Sequence, residues 1–275
     1  MDVLAFRLSV RVNAMKWLSP LLVAMLLAGC SQGLVIDSRY QAQGQSSRVQ
    51  YVVLHYTSSD FPSSLKMLTE GEVSAHYLID DQPDARIYRL VDESRRAWHA
   101  GDSSWDGRTW LNASTLGIEL INPGYRVDAQ GRRHWYPYPE SQIDRLIELL
   151  LDIKKRHELP MDAFIGHSDI APQRKVDPGP LSPWQRLAAA GLIRWPDAQQ
   201  VAHVRQQFAG QLPDAAWFQQ QLSQAGFRLL STGQWDAETR NVLVAFQMKY
   251  RARLYDGQPD LETAALLKVL NQMAR

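Results

Sequence analysis

The sequence contains very little cysteine, and its charges are nearly balanced. Its 275 residues include a single cysteine, Cys30, so neither an intrachain disulfide nor a cluster of zinc-binding cysteines can form. The formal net charge is +1 at pH 7, whereas a nucleic-acid-binding domain is expected to carry a basic excess. We therefore expect no nucleic-acid partner. The 45% of hydrophobic residues suffice for ordinary cores, and the length predicts about two domains.

Two common catalytic signatures are also missing. The sequence has no G-x-S-x-G element and no cysteine in a position to act as nucleophile, which disfavours the usual covalent routes of hydrolysis. It has no H-E-x-x-H motif, and no two of its histidines stand three to five residues apart. A metal site would therefore have to be assembled from residues that are distant in the sequence.

The N-terminal segment has the layout of an export signal. Residues 15–30, MKWLSPLLVAMLLAGC, combine a basic residue, an apolar run and a small-residue ending. The run is too short for a comfortable transmembrane helix, and Met15 is a more natural start than Met1. The ending LAGC resembles the lipobox of bacterial lipoproteins. That resemblance implies that residues 1–29 are a signal peptide and that Cys30 is lipidated, rather than being a small buried hydrophobic residue.

The same resemblance predicts a location. In enteric bacteria an aspartate after the lipidated cysteine holds a lipoprotein at the inner membrane, whereas this chain has Ser31. We therefore expect an outer-membrane lipoprotein that faces the periplasm. Residues 37–49 are polar and aperiodic, so residues 30–48 are predicted to form the lipidated N-terminus and a flexible tether.

Residues 49–200 alternate between strand and helix patterns. β-branched and aromatic residues predict buried strands at YVVLHYT (51–57) and LGIELIN (116–122), and a short strand at MDAFIGH. The apolar spacing in SQIDRLIELLLDIKKRHEL predicts an amphipathic helix capped by Ser141. A further helix is predicted between Ser182, as its cap, and Gly191. These patterns favour an α/β catalytic domain with a mixed central β-sheet flanked by helices.

From residue 211 onward the pattern changes to helix and turn. GQWDAETRNVL (233–243) and GQPDLETAALL (257–267) repeat a glycine turn, a capping aspartate and an apolar run. They predict a small all-α domain over residues 211–275, and TGQWDAETRNVLVAFQ resembles the peptidoglycan-binding module of cell-wall hydrolases. Two roles stay open for this domain: raising the local substrate concentration, or packing against the catalytic domain without binding glycan.

The segment HSDIAPQRKVDPGP (167–180) concentrates ionisable groups among prolines, which predicts a stiff irregular loop of functional importance. Lys175 and Asp177 alternate within it, so an extended backbone points both to the same side. His55 and Glu119 lie in the two longest predicted strands. A carboxylate in an apolar strand needs a partner, or takes a raised pKa that suits proton transfer.

These residue types match the parts of a zinc hydrolase. His55, His167 and Asp177 can hold one Zn²⁺ and leave a position for water, whose pKa zinc lowers to about 7. Glu119 can then move the proton, and Lys175 can stabilise the oxyanion, an effect on the order of 3 kcal/mol for one donor. Simpler roles stay open at this point. They are a core histidine at 55, a turn aspartate at 177, and an ion pair of Glu119 with Lys175.

Five motifs occur in a family-specific order: VVLHYT, SAHYLI, AWHAG, LGIELIN and HSDIAPQRKVDPGP. Over about residues 50–195 the chain resembles the zinc N-acetylmuramoyl-L-alanine amidases of the type-2 family, whose fold is shared with peptidoglycan recognition proteins. The resemblance implies one Zn²⁺ per chain, bound by His55, His167 and Asp177. It also implies that Glu119 is the general acid/base and that Lys175 stabilises the tetrahedral intermediate.

The activity that this resemblance implies is attack by zinc-bound water on the amide between N-acetylmuramic acid and L-alanine of the stem peptide. The partners are then peptidoglycan and muropeptides, together with the outer membrane through the lipid anchor, and we expect a monomer. The motifs SAHYLI, AWHAG and LNASTLGIE place His76, His99 and Asn112 near the substrate groove. One departure is Ile121, which stands on the strand face of Glu119 where relatives often carry an acidic residue.

Two other classes of protein have some of these features. A recognition protein can keep the fold without catalysis, but here every ligand and catalytic position is present. A different zinc hydrolase of the wall, such as an endopeptidase or carboxypeptidase, more often shows closely spaced histidine pairs, which this chain lacks.

Overall fold

The computed structural model describes residue 34 and residues 36–273, so the predicted signal peptide and Cys30 lie outside the described residues. None of the described helices is long and apolar enough to cross a membrane. The chain divides into a unit of residues 1–45 and a unit of residues 46–275. All elements below belong to the second unit.

Nine strands are found among the described residues. They are β1 (Tyr51–Tyr56), β2 (Tyr77–Ile79), β3 (Ile87–Arg89), β4 (Ser104–Trp105), β5 (Arg108–Thr109), β6 (Thr115–Leu120), β7 (Tyr125–Val127), β8 (Arg133–Trp135) and β9 (Phe164–Gly166). Five of them form the central sheet in the order β3-β2-β6-β1-β9, and β4-β5 and β7-β8 are separate ribbons. Within the sheet only β3 runs antiparallel to its neighbour. The predicted mixed sheet is confirmed.

Eight helices accompany these strands in the described part of the chain. They are α1 (Phe61–Glu70), α2 (Glu140–His157), α3 (His167–Ile170), α4 (Trp184–Ala189), α5 (Ala198–Gln207), α6 (Ala215–Gln224), α7 (Ala237–Tyr250) and α8 (Leu261–Gln272). Short 3₁₀ turns lie at Leu111–Ala113 and Met161–Ala163. The predicted flanking helices and the helical C-terminal region are confirmed.

Three local predictions need correction. Helix α2 begins at Glu140 after Pro139, so Ser141 lies inside the helix and does not cap it. Helix α4 is shorter than predicted at both ends, because Pro183 is its N-cap residue and Ala190 its C-cap. The first four residues of the predicted irregular loop form α3, where the Asp169 carboxylate accepts a hydrogen bond from Gly166 N–H and stabilises the helical turn.

One face of the sheet packs against α2 and α4. Val52 and Leu54 of β1 and Ile118 of β6 share a buried cluster with Leu146 and Leu150 of α2. The apolar pattern of α2 is borne out except at its margin. Leu151 belongs to the apolar spacing that predicts this amphipathic helix, but its side chain is 43% exposed.

On the opposite face of the sheet, apolar clusters lie toward the two edges, and polar residues lie between them. Because side chains alternate along a strand, Val53 of β1 points away from Val52 and Leu54. Val53 and Ile165 pack against helices α5 to α8, in a cluster that includes Phe218, Phe246 and Leu267.

At the other edge of this face, Ile121 packs with Leu78 of β2 and Leu68 of α1, and it is only 2% exposed. An isoleucine therefore suits this apolar position. Between the two clusters lie the face positions of Gly117, Glu119 and His55, which leaves a polar strip along the sheet.

The repeated motif of the C-terminal region caps two helices in the same way. Asp236 accepts a hydrogen bond from Thr239 N–H at the start of α7, and Asp260 accepts one from Thr263 N–H at the start of α8. The predicted capping aspartates are thus confirmed. Helix α5, which straddles the predicted end of the catalytic domain at residue 200, packs in the same cluster as α6 to α8.

Candidate metal and catalytic site

Strand register brings the proposed site residues to one edge of the sheet. In the pairing of β1 with β6, His55 stands directly opposite Glu119. In the pairing of β1 with β9, Leu54 stands opposite Gly166, so His167 follows at the level of His55. Neighbouring strands are about 4.8 Å apart, and the carboxyl ends of these three parallel strands therefore place Glu119, His55 and His167 side by side.

The proline-rich segment adds the third candidate ligand. Ser168 N–H donates a hydrogen bond of 2.8 Å to the Asp177 carbonyl, which folds this segment back onto α3. His55 Nδ1 then lies 2.9 Å from His167 Nδ1, and the Asp177 Oδ2 atom lies 3.1 Å from each of these nitrogens. All three side chains are buried. Three donor atoms therefore converge on one small volume.

The protonation of these groups suits a metal ion. Burial and the neighbouring His167 lower the pKa of His55 to about 4, so its imidazole is neutral at pH 7. Burial alone would raise the pKa of Asp177, but His167 and His55 hold it well below its usual range. Two imidazoles and a carboxylate are a donor set of catalytic zinc sites. The residues present therefore fit one Zn²⁺.

Glu119 has the surroundings of an acid/base group. Burial raises its pKa to about 8, the Asp177 carboxylate adds to the shift, and the charge of Lys175 opposes it. Its Oε2 atom is buried without a hydrogen-bond partner among the described residues. The ion pair with Lys175 that the sequence left open is thus not made by this oxygen.

Lys175 directs its charge at the site from the partly exposed loop. Its backbone N–H donates to the Ala171 carbonyl at 3.0 Å, which anchors the loop to the end of α3. The Lys175 ammonium lowers the pKa of both Glu119 and His55, as expected for a cation facing these groups. It is therefore placed to act on negative charge that develops between the strands.

The three residues predicted near the substrate groove have internal partners. His76 is fully buried, and its Nδ1 atom accepts a hydrogen bond of 3.0 Å from Gly117 N–H. His99 is 8% exposed, and its Nδ1 atom lies 3.0 Å from His55 Nε2. Asn112 Oδ1 accepts hydrogen bonds from the N–H groups of His99 and Ala100. Substrate contact by these residues stays a prediction.

Sequence reasoning missed several residues that support the site. Thr115 contacts His99, and a Cβ atom at Gly117 would lie 2.4 Å from the His99 ring. The glycine could have been noticed, because a glycine inside a strand often marks a close approach of another group. Lys249 of α7 forms a buried ion pair of 2.8 Å with Asp169, and no sequence pattern connects those two positions.

Comparison with known proteins identifies the family. The family model described as N-acetylmuramoyl-L-alanine amidase matches residues 45–180, and a model for a peptidoglycan binding domain matches residues 211–267. This chain belongs to the N-acetylmuramoyl-L-alanine amidase family. It is 42% identical over 264 residues to the N-acetylmuramoyl-L-alanine amidase AmiD of Escherichia coli K12, and the match covers 90% of this chain and 94% of AmiD.

Two solved structures share the fold over most of this chain. The complex of E. coli AmiD with the substrate anhydro-N-acetylmuramic acid-L-Ala-D-gamma-Glu-L-Lys matches with a TM-score of 0.80 at 43% identity, over 86% of this chain and 94% of that chain. AmpDh3 from Pseudomonas aeruginosa, in complex with an anhydromuramic pentapeptide, matches with a TM-score of 0.80 at 40% identity. That match covers 87% of this chain and 98% of AmpDh3.

Proposed function

We propose that this protein hydrolyses the amide bond between N-acetylmuramic acid and the L-alanine of stem peptides, in peptidoglycan or in released muropeptides. The observation that carries the proposal is the convergence of His55, His167 and Asp177 beside Glu119, in a chain of this amidase family. The two related structures contain anhydromuramic peptides, so muropeptides with a 1,6-anhydro sugar are the first substrates to test.

The proposed mechanism assigns one task to each residue. His55, His167 and Asp177 hold Zn²⁺, which when bound supplies a water of lowered pKa and polarises the scissile carbonyl. Glu119 accepts the proton of the attacking water and passes it to the nitrogen of the leaving L-alanine. Lys175 stabilises the negative charge on the former carbonyl oxygen. The water oxygen ends in the lactyl carboxylate, and the peptide leaves with a free amine.

We further infer that the mature protein begins at Cys30 and is held at the outer membrane by lipid, facing the periplasm. The lipobox-like LAGC sequence supports this location. Each buried methylene of an acyl chain contributes about 0.8 kcal/mol, so an anchor with two or more chains would hold the protein stably. Residues 30–48 would then be the tether, residues 49–200 the catalytic domain and residues 211–275 the helical domain of a monomer.

Product analysis tests the activity. Purified residues 31–275 are incubated with a disaccharide–tetrapeptide and with its 1,6-anhydro form, and the products are identified by mass spectrometry. We expect free disaccharide and intact tetrapeptide, and we expect this activity to disappear with a chelator and to return with Zn²⁺. Glu119→Gln should abolish it, whereas Glu72→Gln, at an exposed position of the same residue type, should leave it unchanged.

Two other outcomes would replace the proposal. A shortened peptide still attached to its sugar would mean that the enzyme cleaves within the stem peptide. Uncleaved substrate under every condition, with measurable binding, would mean a recognition protein that has kept the fold without catalysis.

A further inference from the structure

A chain of buried polar contacts extends away from the proposed metal site. It begins at His55 Nε2, the ring nitrogen that points away from the other ligands, which lies 3.0 Å from His99 Nδ1. The other nitrogen of His99, Nε2, lies 3.0 Å from Thr115 Oγ1. Thr115 Oγ1 in turn donates to the Leu111 carbonyl at 2.7 Å. Thr115 and Leu111 are fully buried, so water does not compete for these groups.

The chemistry of these groups determines which atom donates in each of these hydrogen bonds. A carbonyl oxygen only accepts, so the single hydroxyl proton of Thr115 is used on its short contact with Leu111. Thr115 must then accept from His99 Nε2–H. His99 is buried, and no carboxylate in the described part of the chain contacts either of its ring nitrogens, so nothing there compensates a positive charge. A neutral imidazole has one N–H group and one acceptor nitrogen, so with Nε2–H used on Thr115 the Nδ1 atom is the acceptor. His55 must therefore donate through Nε2–H, which leaves the lone pair of His55 Nδ1 directed at the metal position.

The fold fixes the position of His99 between His55 and Thr115. Asn112 Oδ1 accepts hydrogen bonds from the N–H groups of His99 at 3.0 Å and Ala100 at 2.8 Å. The His99 ring lies over Gly117, where an added Cβ atom would approach the ring to 2.4 Å. Glycine at position 117 thus makes room for the ring between Thr115 and Glu119 on the same face of β6.

The second histidine ligand is oriented from the same short segment. His167 Nε2 lies 3.3 Å from the carbonyl oxygen of Ala100, the residue next to His99. A carbonyl can only accept, so this contact is a hydrogen bond when His167 carries its proton on Nε2, and that tautomer leaves Nδ1 free. The Arg174 Nη2 atom, which can only donate, lies farther from the same nitrogen, at 3.5 Å. Residues 99–100, which Asn112 holds through their backbone N–H groups, therefore contact both imidazole ligands.

We propose that Thr115 and His99 are positioning residues that fix His55 as the Nε2–H tautomer and thereby set the affinity of the site for Zn²⁺. This inference rests on the proposed function, because it takes His55 as a metal ligand. Outer partners of metal-bound histidines commonly change metal affinity by 10- to 100-fold when they are removed. Thr115 and His99 act on the metal site through His55, and neither residue is among its converging donor atoms.

The test measures zinc affinity of the full chain by competition with a chromophoric chelator. Thr115→Val keeps the shape of the side chain but removes the hydroxyl, and we expect zinc binding about 10- to 100-fold weaker than in the wild type. Thr115→Ser keeps the hydroxyl and should restore affinity to within about twofold. Thr263→Val, at another fully buried threonine far along the chain in α8, controls for the general loss of a buried hydroxyl.

A second measurement reads the proton positions without any variant. Long-range ¹H–¹⁵N spectra of the zinc-loaded wild type should show His99 with its proton on Nε2 and a bare Nδ1. A proton on Nδ1 of His99, or a doubly protonated ring, would overturn the proposal. So would unchanged zinc affinity in a folded Thr115→Val protein whose melting temperature without metal equals that of the wild type.

Failure of this inference is distinguishable from failure of the proposed function. If the wild type binds zinc and releases intact stem peptide while Thr115→Val binds zinc equally well, only the positioning role of Thr115 and His99 is wrong. If the wild type neither binds zinc nor cleaves muropeptides, both the positioning role and the proposed function are wrong.

Discussion

Among single residues, Glu119 shows most clearly how surroundings set chemistry. Its pKa of about 8 follows from burial and from the Asp177 carboxylate, both of which favour the protonated form. Bound Zn²⁺ would add a positive charge close by and favour the ionised form. Zinc binding would therefore lower the pKa of Glu119. More of this residue would then be ionised and able to accept a proton.

This raised pKa predicts that, in the metal-free protein, the stability difference between the wild type and Glu119→Gln depends on pH. Below about pH 4.5 the carboxyl is protonated in both the folded and unfolded chain, so it contributes no pH dependence. Between about pH 4.5 and 8 the unfolded chain releases this proton while the folded chain keeps it, so the contribution of Glu119 to the free energy of unfolding falls as pH rises. Glu119→Gln should remove this contribution and be more stable than the wild type above pH 8, by up to about 5 kcal/mol, because each pKa unit corresponds to about 1.4 kcal/mol.

Urea unfolding with chelator present, at a series of pH values, measures this difference. The gap between Glu119→Gln and wild type should open through the stated window and close below it. Glu72→Gln, which changes an exposed carboxylate, should show no such gap. A constant difference at every pH would mean that the folded-state pKa of Glu119 is not raised.

Lys175 offers a prediction that separates catalysis from metal binding. Lys175→Met removes the ammonium while keeping an unbranched apolar side chain, so we expect kcat to fall by about 100- to 1000-fold. KM and zinc affinity should change by less than about threefold, because Lys175 is not among the converging donor atoms. Steady-state kinetics and chelator competition check this, with the exposed Lys66→Met as control. A loss of zinc comparable with the loss of kcat would show that Lys175 acts through the metal site instead.

Between elements, helix α7 supports helix α3, which begins with a proposed ligand. Lys249 of α7 pairs with Asp169 at 2.8 Å, and both side chains are at most 5% exposed. The same Asp169 oxygen accepts from Gly166 N–H at 2.8 Å, immediately before His167. Lys249 also lies over the Trp184 ring at 4.4 Å, so its charge is stabilised from two sides.

Replacing only the lysine of this pair should lower the free energy of unfolding more than replacing both residues. Lys249→Met leaves the Asp169 carboxylate buried without its cation, and we expect a loss of about 3–5 kcal/mol in the free energy of unfolding. Adding Asp169→Asn keeps an acceptor for Gly166 N–H but removes the unpaired charge, so the double variant should regain part of that loss.

Urea unfolding of the two single variants and the double variant gives the coupling energy. Lys155→Met, at an exposed lysine of α2, serves as the control and should lie within about 0.5 kcal/mol of the wild type. A double variant at least as unstable as Lys249→Met alone would contradict the buried-pair explanation.

For the molecule as a whole, the helical domain completes the core of the catalytic domain. The cluster around Val53 and Ile165 of the sheet is continuous with the apolar residues of α5 to α8. Trp105 and Phe227 meet edge to face with ring centroids 5.0 Å apart. Arg194 donates to the carbonyl groups of Leu270 and Met273 near the end of the chain. These contacts favour the packing role that the sequence left open, and glycan binding by this domain stays a prediction.

This shared core predicts that the catalytic domain does not survive alone. A chain ending at residue 210 would expose the apolar face around Val53 and Ile165, so we expect aggregation or loss of cooperative unfolding. Calorimetry and size-exclusion chromatography of the shortened chain check this. Leu230→Ser, at a position of the helical domain that is 67% exposed, is the control and should fold normally. A shortened chain that stays monomeric and cleaves small muropeptides at the wild-type rate would contradict this prediction.

The sequence by itself determined the longest strands, the main helices and the chemistry of the donor set. Strands β1 and β6, the apolar stripe of α2 and the capping Asp236 and Asp260 follow from local spacing, because backbone periodicity and end-capping depend on neighbouring residues. The proposed ligands were identifiable from the order of the five family-specific motifs, whereas spacing alone left a core histidine at 55 and a turn aspartate at 177 open.

Only the tertiary structure decided which groups meet. The register that sets His55 opposite Glu119, the His99 ring over Gly117 and the pair of Lys249 with Asp169 each join residues that are distant in the chain. The exposure of Leu151 likewise depends on what packs beside α2. Local patterns carry no information about such contacts, because burial and hydrogen bonding across elements are set by how the elements pack.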